Sequence, residues 1–340
     1  MSARETRVGV IGAGALGYHH VRILRETEGV SFVGFYEARG DRATQVSQEL
    51  GVQAWQSADE LIDACDALTI VVPTPGHHAT ALAAVSAGRH VLIEKPLTTT
   101  LDEADELLTV AKRTGALIQT GHVERFNRAI RAALPYVDGP RFLESDRLAP
   151  FNPRGSDVAV VLDLMIHDID LLLTLVKSGA QDVAAVGIPV LTPFVDIANA
   201  RITFTSGAVA NVTASRVSRE RMRKLRIFQQ SGYLSLDLGA GNGEFYRLRG
   251  DMDLAMLTKS PQQLEAFVER IPLEAPEGEP LRLEFRSFLD AVRGDAPVAV
   301  TGEDGREALA VALRIVQEIE RTRPALAAGV ALPRAELSGA

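Results

Sequence analysis

The chain has 340 residues, 46% hydrophobic and 24% charged, a balance that fits a globular protein of two domains and excludes a disordered chain. A formal net charge of -8 excludes the clustered cationic footprint that nucleic acid requires, so a small-molecule ligand is expected. One cysteine, Cys65, excludes an intrachain disulfide and a thiolate zinc site. No apolar run reaches the ~20 residues of a bilayer span, and Met1 to Arg7 is too polar for a signal peptide, so no membrane association and a cytoplasmic location are expected.

Taken in chain order, Arg7 to Ile11 is an apolar run that stops at Gly12-Ala-Gly-Ala-Leu-Gly17 and passes into a helical pattern through Ile23 and Leu24. Val30 to Tyr36 predicts a second strand ending on Glu37, Arg42 to Leu50 a helix, and Val52 to Trp55 a third short strand. Ala67 to Val72 is a fourth strand, halted by Pro73-Thr-Pro75. Ala79 to Ala87 reads as helix, His90 to Ile93 as a fifth strand, Asp102 to Thr114 as helix and Ala116 to Thr120 as a sixth strand. Alternating apolar strands and helices imply an α/β Rossmann unit with a doubly wound parallel sheet, placed at residues 1–124. Beyond it, Asp196 to Phe204, Ala208 to Ser215 and Leu225 to Gln229 are β-rich, with reversals at Thr205-Ser-Gly and Ser231-Gly. Residues 125–340 therefore predict an α+β domain with a large mixed or antiparallel sheet, closing with helical stretches Leu283 to Arg293 and Glu303 to Thr322.

The three glycines Gly12, Gly14 and Gly17 are a weak signal alone. Their place between an apolar strand and a helix makes it a strong one, because the backbone N–H groups around Ala15 and Leu16 and the positive helix end can hold a pyrophosphate. Glu37 lies 20 residues past Gly17 at the end of the second strand, where a carboxylate accepts hydrogen bonds from a ribose diol. NAD is the expected cofactor. Arg39 and Arg42 follow closely and can meet a 2′-phosphate instead, which keeps NADP as the alternative. Asp163 and His167 are four residues apart, so on a helix both project from one face, and an imidazole titrates near neutral pH.

The segment His90-Val-Leu-Ile-Glu-Lys-Pro96 resembles the Glu-Lys-Pro motif of the glucose-fructose oxidoreductase, inositol dehydrogenase and rhizopine-catabolism (Gfo/Idh/MocA) family. Val161-Leu-Asp-Leu-Met-Ile-His-Asp-Ile-Asp170 is similar to its Asp-x-x-x-His helix, and Val300-Thr-Gly-Glu-Asp-Gly-Arg-Glu-Ala-Leu309 to its C-terminal signature. The resemblance implies a sugar oxidoreductase whose second domain covers the nicotinamide and supports a homo-oligomer, a dimer or tetramer. It places Glu94 and Lys95 at the cofactor, with a cis bond at Pro96, and makes Lys95 the donor to the reacting hydroxyl. It makes His167 the general base and Asp163 the residue that orients the substrate or tunes His167. Asp168 and Asp170 point elsewhere and pair structurally. Pro73, Thr74 and His78 match the family's loop against the nicotinamide ribose and phosphates. His19, His20 and His77 read as helix starts or hydrogen-bond partners, and no metal is expected.

Gly121-His-Val-Glu-Arg-Phe-Asn127 offers Glu124, Arg125 and Asn127 to a sugar, and Arg154 offers an anion contact. With Pro153-Arg-Gly-Ser-Asp157, this stretch resembles the branch of the family that acts as UDP-N-acetylglucosamine 3-dehydrogenase. Ser156-Asp157-Val158 departs from the glycine run of most relatives, which leaves the substrate open. The basic stretch Arg216 to Arg226 has two readings, a contact for a nucleotide diphosphate or a solvated strand edge. Two further functions compete with a sugar dehydrogenase. A non-catalytic dinucleotide sensor has no chemical need for Lys95, Asp163 and His167 together, and a dehydrogenase of a cyclitol or other non-nucleotide substrate retains them.

Overall fold

The computed structural model describes residues 5–153, 155, 158–249 and 267–322. Arg154, expected to contact an anion, lies outside the described residues, as do Ser156 and Asp157. The chain opens with β1 (Thr6–Ile11), α1 (Ala15–Leu24), β2 (Val30–Tyr36), α2 (Gly40–Leu50), α3 (Ala58–Ala64), β3 (Ala67–Ile70), α4 (His77–Ser86), β4 (His90–Glu94), α5 (Leu101–Thr114) and β5 (Ile118–Gly121). The strands form one parallel sheet in the order β2-β1-β3-β4-β5. The element boundaries follow local chemistry. The Thr100 hydroxyl accepts from Glu103 N at 3.3 Å while the Glu103 carboxylate accepts from Thr100 N at 3.0 Å, and Gly115 ends α5 in the left-handed region.

One expected strand is absent. Val52 to Trp55 makes only the isolated bridge of Ala54 to Phe35, because after two backbone bonds the Trp55 indole folds back over Gly34 and donates to Val33 O at 3.1 Å. The sheet therefore has five strands instead of six.

After β5 come a 3₁₀ turn (Val123–Phe126), α6 (Arg128–Ala133), β6 (Phe142–Leu148), a π-helical turn (Val161–Met165) that runs into α7 (Ile166–Val176), and β7 (Ala180–Ile188). Then follow β8 (Ile197–Phe204), β9 (Val209–Ser215), β10 (Met222–Gln229), β11 (Gly232–Asp237), β12 (Asn242–Leu248) and β13 (Val268–Pro272), closed by α8 (Pro280–Arg293) and α9 (Gly302–Thr322). The eight strands lie in the order β13-β12-β11-β10-β6-β9-β8-β7, antiparallel except for β6 beside β9. Alternation along β8 puts Ala198, Ala200, Ile202 and Phe204 into a core shared with Ile166, Ile169 and Leu172 of α7 and Ile315 and Ile319 of α9. The opposite face carries a stacked ladder, Phe142, Phe228, Tyr233 and Tyr246, with successive ring centroids 5.6, 4.8 and 5.6 Å apart.

Helix α8 returns to the first sheet. Its Phe285, Phe288 and Leu289 are buried with Val8, Val10 and Phe35, so α8 becomes part of the core of the first sheet. No helix among the described residues is long and apolar enough to cross a membrane.

Candidate active site

The glycine-rich turn is built for close backbone approach. Gly12 has φ 94°, and a Cβ on it would meet Val71 O at 2.6 Å, while a Cβ on Gly17 would lie 2.0 Å from Gly12 O. At Gly14 the nearest atom to such a Cβ is Arg39 Nη2, 4.0 Å away, so this side of the turn is open. Helix α1 starts there with no side-chain cap, leaving its first N–H groups directed outward. The Glu37 carboxylate accepts from Ala13 N at 2.8 Å and from Arg39 N and Nε at 3.2 and 3.0 Å. Burial opposes its ionisation, but these bonds outweigh it and hold the carboxyl below its ordinary range. Arg42 braces the turn by donating to Ala13 O at 3.0 Å and Gly14 O at 3.4 Å, which commits it to the protein.

Lys95 stands where β4 ends, at the carboxyl edge of the sheet, and the Lys95–Pro96 bond is cis. Its ammonium donates to the Asp163 carbonyl oxygen at 2.6 Å and lies 3.5 Å from Asp163 Oδ1. Asp163 sits in the π-helical turn and His167 in the first turn of α7, so the pair is presented from wider winding than the α-helix its spacing predicts. Gly155 explains how the preceding loop closes on Asp163: at φ 77° a Cβ would meet Asp163 Oδ2 at 2.8 Å. His167 has a buried Nδ1 with no partner among the described residues. Burial, then the charges of Lys95 and Arg147, push its imidazole well below the ordinary value, so it is neutral at pH 7 and able to accept a proton.

Beneath these groups lies a network of buried charge. Arg147 of β6 grips Asp168 through Nε at 2.6 Å and Nη2 at 3.1 Å and reaches Glu124 Oε1 at 2.9 Å. Asn127 donates to Glu124 Oε2 at 3.0 Å and to Leu238 O at 2.9 Å, and its carbonyl oxygen caps α6. Arg125 makes a two-pronged pair with Asp170 at 2.8 and 2.5 Å and reaches Asp304 at 3.2 Å. Glu124, Arg125 and Asn127, expected at the substrate, are thus gathered under the site with their polar atoms engaged by other residues of the chain. The pairing expected of Asp168 and Asp170 is what these bonds show.

Two residues expected at the cofactor have side chains engaged by other residues of the chain. Glu94 is buried with its carboxylate 3.1 Å from His20 Nε2, and His78 on α4 lies 2.8 Å from Glu106 of α5. Exposed Pro73 leads into a 3₁₀ turn (Thr74–Gly76) that half-buried Thr74 opens, after β3 and beside His77, whose ring nitrogens lie 2.8 Å from Pro96 O and 2.9 Å from Val72 O and join the two loops. The basic stretch divides. Arg216 is buried against Asp196 at 2.8 Å and donates to Gly155 O and Val158 O, both at 2.7 Å, while Arg226 lies 3.3 Å from Glu144 on the outer sheet face. Arg219 and Arg221 are exposed on the turn between β9 and β10.

Comparison with known proteins accounts for this arrangement. Residues 6–122 match the oxidoreductase family with an NAD-binding Rossmann fold, and residues 136–235 match the GFO/IDH/MocA C-terminal domain. The UDP-N-acetylglucosamine 3-dehydrogenase of Acidithiobacillus ferrooxidans is 38% identical over 315 residues, 92% of this chain and 97% of its own. The chain belongs to the Gfo/Idh/MocA family of oxidoreductases. The solved structure of UDP-N-acetylglucosamine 3-dehydrogenase GnnA from the same organism matches with a TM-score of 0.84 at 37% identity, covering 93% of this chain and 98% of that one. A myo-inositol 2-dehydrogenase of Thermotoga maritima is 26% identical over 93% of this chain and 97% of its own. This member of the Gfo/Idh/MocA family is therefore an NAD(P)-dependent oxidoreductase of the class that acts on hydroxyl groups.

Residues that sequence reasoning passed over also border this centre. Arg147 looks like one more polar residue of an alternating strand, and only the fold brings it to Glu124 and Asp168. His122 stands inside a segment already singled out, yet its ring comes edge-on to His167 at 6.4 Å between centroids. Glu284 carried a legible signal, a carboxylate on the apolar stripe of α8 between Leu281 and Phe288.

Proposed function

We propose that this enzyme oxidises a hydroxyl of a UDP-linked amino sugar, of which UDP-N-acetylglucosamine is the type, using NAD. The observation that carries the reading is the meeting of the Lys95 ammonium, Asp163 and a neutral His167 at the carboxyl edge of a dinucleotide-binding sheet. The open side of Gly14 and the uncapped start of α1 fit a dinucleotide, which Gly12 to Gly17, Glu37, Pro73 and Thr74 would hold. NAD, when bound, supplies the acceptor for the hydride. NAD is preferred to NADP because Glu37 offers a diol acceptor and Arg42 is engaged with the turn.

Lys95 donates to the substrate oxygen and stabilises its alkoxide character, and Asp163 fixes the ammonium from the side. His167, held in its neutral form at pH 7 by burial and by the charge of Lys95, is available to take the hydroxyl proton. Arg219 and Arg221 offer cations to the diphosphate from a turn that Arg216 ties to the loop over Asp163. The aromatic ladder on the outer face of the second sheet supports pairing with a second copy, and a homo-oligomer is the working state.

The name of the Acidithiobacillus relative favours a nucleotide sugar, and that of the Thermotoga relative a free cyclitol. Initial rates with NAD and with NADP on UDP-N-acetylglucosamine, N-acetylglucosamine and myo-inositol separate the two. The nucleotide sugar is expected to give the highest kcat as well as the lowest KM, because binding energy from the remote nucleotide positions the reacting carbon. Equal or faster turnover of myo-inositol would transfer the enzyme to the cyclitol class.

A further inference from the structure

Seven buried side-chain polar atoms have no hydrogen-bond partner among the described residues. One is Arg89 Nε at the far end of β4. The other six are His167 Nδ1, both ring nitrogens of His122, Gln119 Oε1 and both carboxyl oxygens of Glu284. Native interiors leave very few such atoms without protein or ordered water, so six in neighbouring residues mark a polar passage. They gather in one region, since the charges of Glu94 and Asp170 act on both His122 and Glu284. His122 presents its ring edge-on to His167, Gln119 Nε2 donates to the Glu284 carbonyl oxygen at 3.3 Å, and Phe285, next along α8, packs edge-on against His20 at 4.9 Å between centroids. His20 in turn lies 3.1 Å from Glu94.

We propose that His122 and Glu284 form a proton relay behind His167, running to the buried Glu94–His20 pair. The proposal rests on His167 being the base of the reaction. When a hydroxyl is oxidised its O–H bond breaks and His167 gains one proton. His167 then releases its Nδ1 proton to His122, which passes one from its other nitrogen to Glu284. The Glu284 carboxyl takes it on its carbonyl oxygen and gives up its own proton to the Glu94–His20 pair, which gains one positive charge and loses it to solvent through the Glu94 carboxylate, 10% exposed, so every member is reset for the next turnover. Single waters bridging the gaps complete the contacts, since the two imidazoles are too far apart for a direct bond. In the direction of carbonyl reduction the same chain returns the proton.

The surroundings suit a carboxyl that keeps its proton. Glu284 feels Glu94 of β4 and Asp170 of α7, the latter paired with Arg125, and its carbonyl oxygen accepts from Gln119 of β5; His20 of α1 lies against Glu94 and the adjoining Phe285, and His122 feels the same two carboxylates. On its outer side α8 carries Arg282, 3.2 Å from Glu26. Burial, then the negative charges of Glu94 and Asp170, push the Glu284 carboxyl well above the ordinary range, while burial holds His122 below its own. A neutral acid and a neutral imidazole in one buried cluster can hand a proton on in either direction.

The test uses the full-length protein and the hydroxyl substrate that wild type oxidises. Glu284→Gln keeps shape and neutrality but cannot carry a proton, and is expected to lower kcat about tenfold or more, raise the solvent deuterium isotope effect on kcat and leave both KM values within about twofold. His122→Gln is expected to do the same, and the double variant to be no slower than either single one, as for residues that act as a unit. A folded Glu284→Gln with wild-type kcat and isotope effect overturns the relay, and if that variant does not fold, His122→Gln decides by the same readings. Thermal melting needs no substrate. The unfolded chain ionises Glu284 above its ordinary pKa while the folded chain does not, so wild type loses stability as pH rises from about 4.5 and the Gln variant does not. A melting difference between them that stays flat from pH 4 to pH 8 also overturns the relay. A wild type that oxidises no sugar hydroxyl refutes the function above instead, with the melting comparison still reporting on Glu284.

Discussion

Replacing Lys95 with methionine removes one charge at nearly constant volume, and two consequences follow from its position. The ammonium is mostly buried, 17% exposed, and 3.5 Å from Asp163 Oδ1. Unit charges at that separation and an effective permittivity of ~20 attract by about 5 kcal/mol before desolvation is set against it. A developing alkoxide at similar range therefore gains a few kcal/mol, and its loss corresponds to a fall in kcat of about 10²- to 10⁴-fold, the usual range for a positioned electrostatic or proton-transfer group. The second consequence is a shift in pH dependence. Protonated His167 cannot accept a proton, so kcat/KM falls on the acid side as His167 titrates. After burial, Lys95 is the largest influence pushing that titration down, so in Lys95→Met the acid limb moves to higher pH while staying below the ordinary histidine range, because burial is unchanged. The assay is the pH profile of kcat/KM for wild type and variant, with NAD affinity measured by equilibrium binding. A wild-type rate would refute the role of Lys95, and an acid limb that does not move would refute His167 as the titrating base.

Glu37→Gln is expected to weaken NAD by about tenfold, the scale of hydrogen bonds to a charged acceptor, and to release Arg39 toward a 2′-phosphate; coenzyme kinetics that keep the wild-type NAD to NADP ratio would make Glu37 a bystander. Asp196→Ala removes the acceptor for the N–H groups of Val190, Leu191 and Thr192 and strands the buried Arg216 guanidinium, a loss of about 3–5 kcal/mol. Denaturant unfolding reads it, and a loss under about 1 kcal/mol would show that water reaches Arg216 and substitutes for the carboxylate.

Strand-turn-helix chemistry around Gly12 to Gly17 and the alternation of apolar strands with helices are local properties, set by residues within a few positions of each other, and the sequence by itself determined them. The same holds for the Glu-Lys-Pro and Asp-x-x-x-His stretches, whose spacing is covalent. Tertiary structure decided what those stretches meet. The run Val52 to Trp55 has strand composition, yet its indole packs over Gly34 and leaves a single bridge, a choice made by a neighbour 21 positions away. Glu124, Arg125 and Asn127 read as pocket residues because they are polar and follow a strand, but Arg147, Asp170 and Leu238 arrive from other elements and satisfy them. Glu284 joins His122 and Glu94 only because α8 crosses back onto the first sheet, driven by burial of Phe285, Phe288 and Leu289. Hydrophobic patterning says that such a helix must bury one face. Which partner it covers, and so which charges are shut away together, depends on contacts more than 150 residues apart that no local pattern encodes.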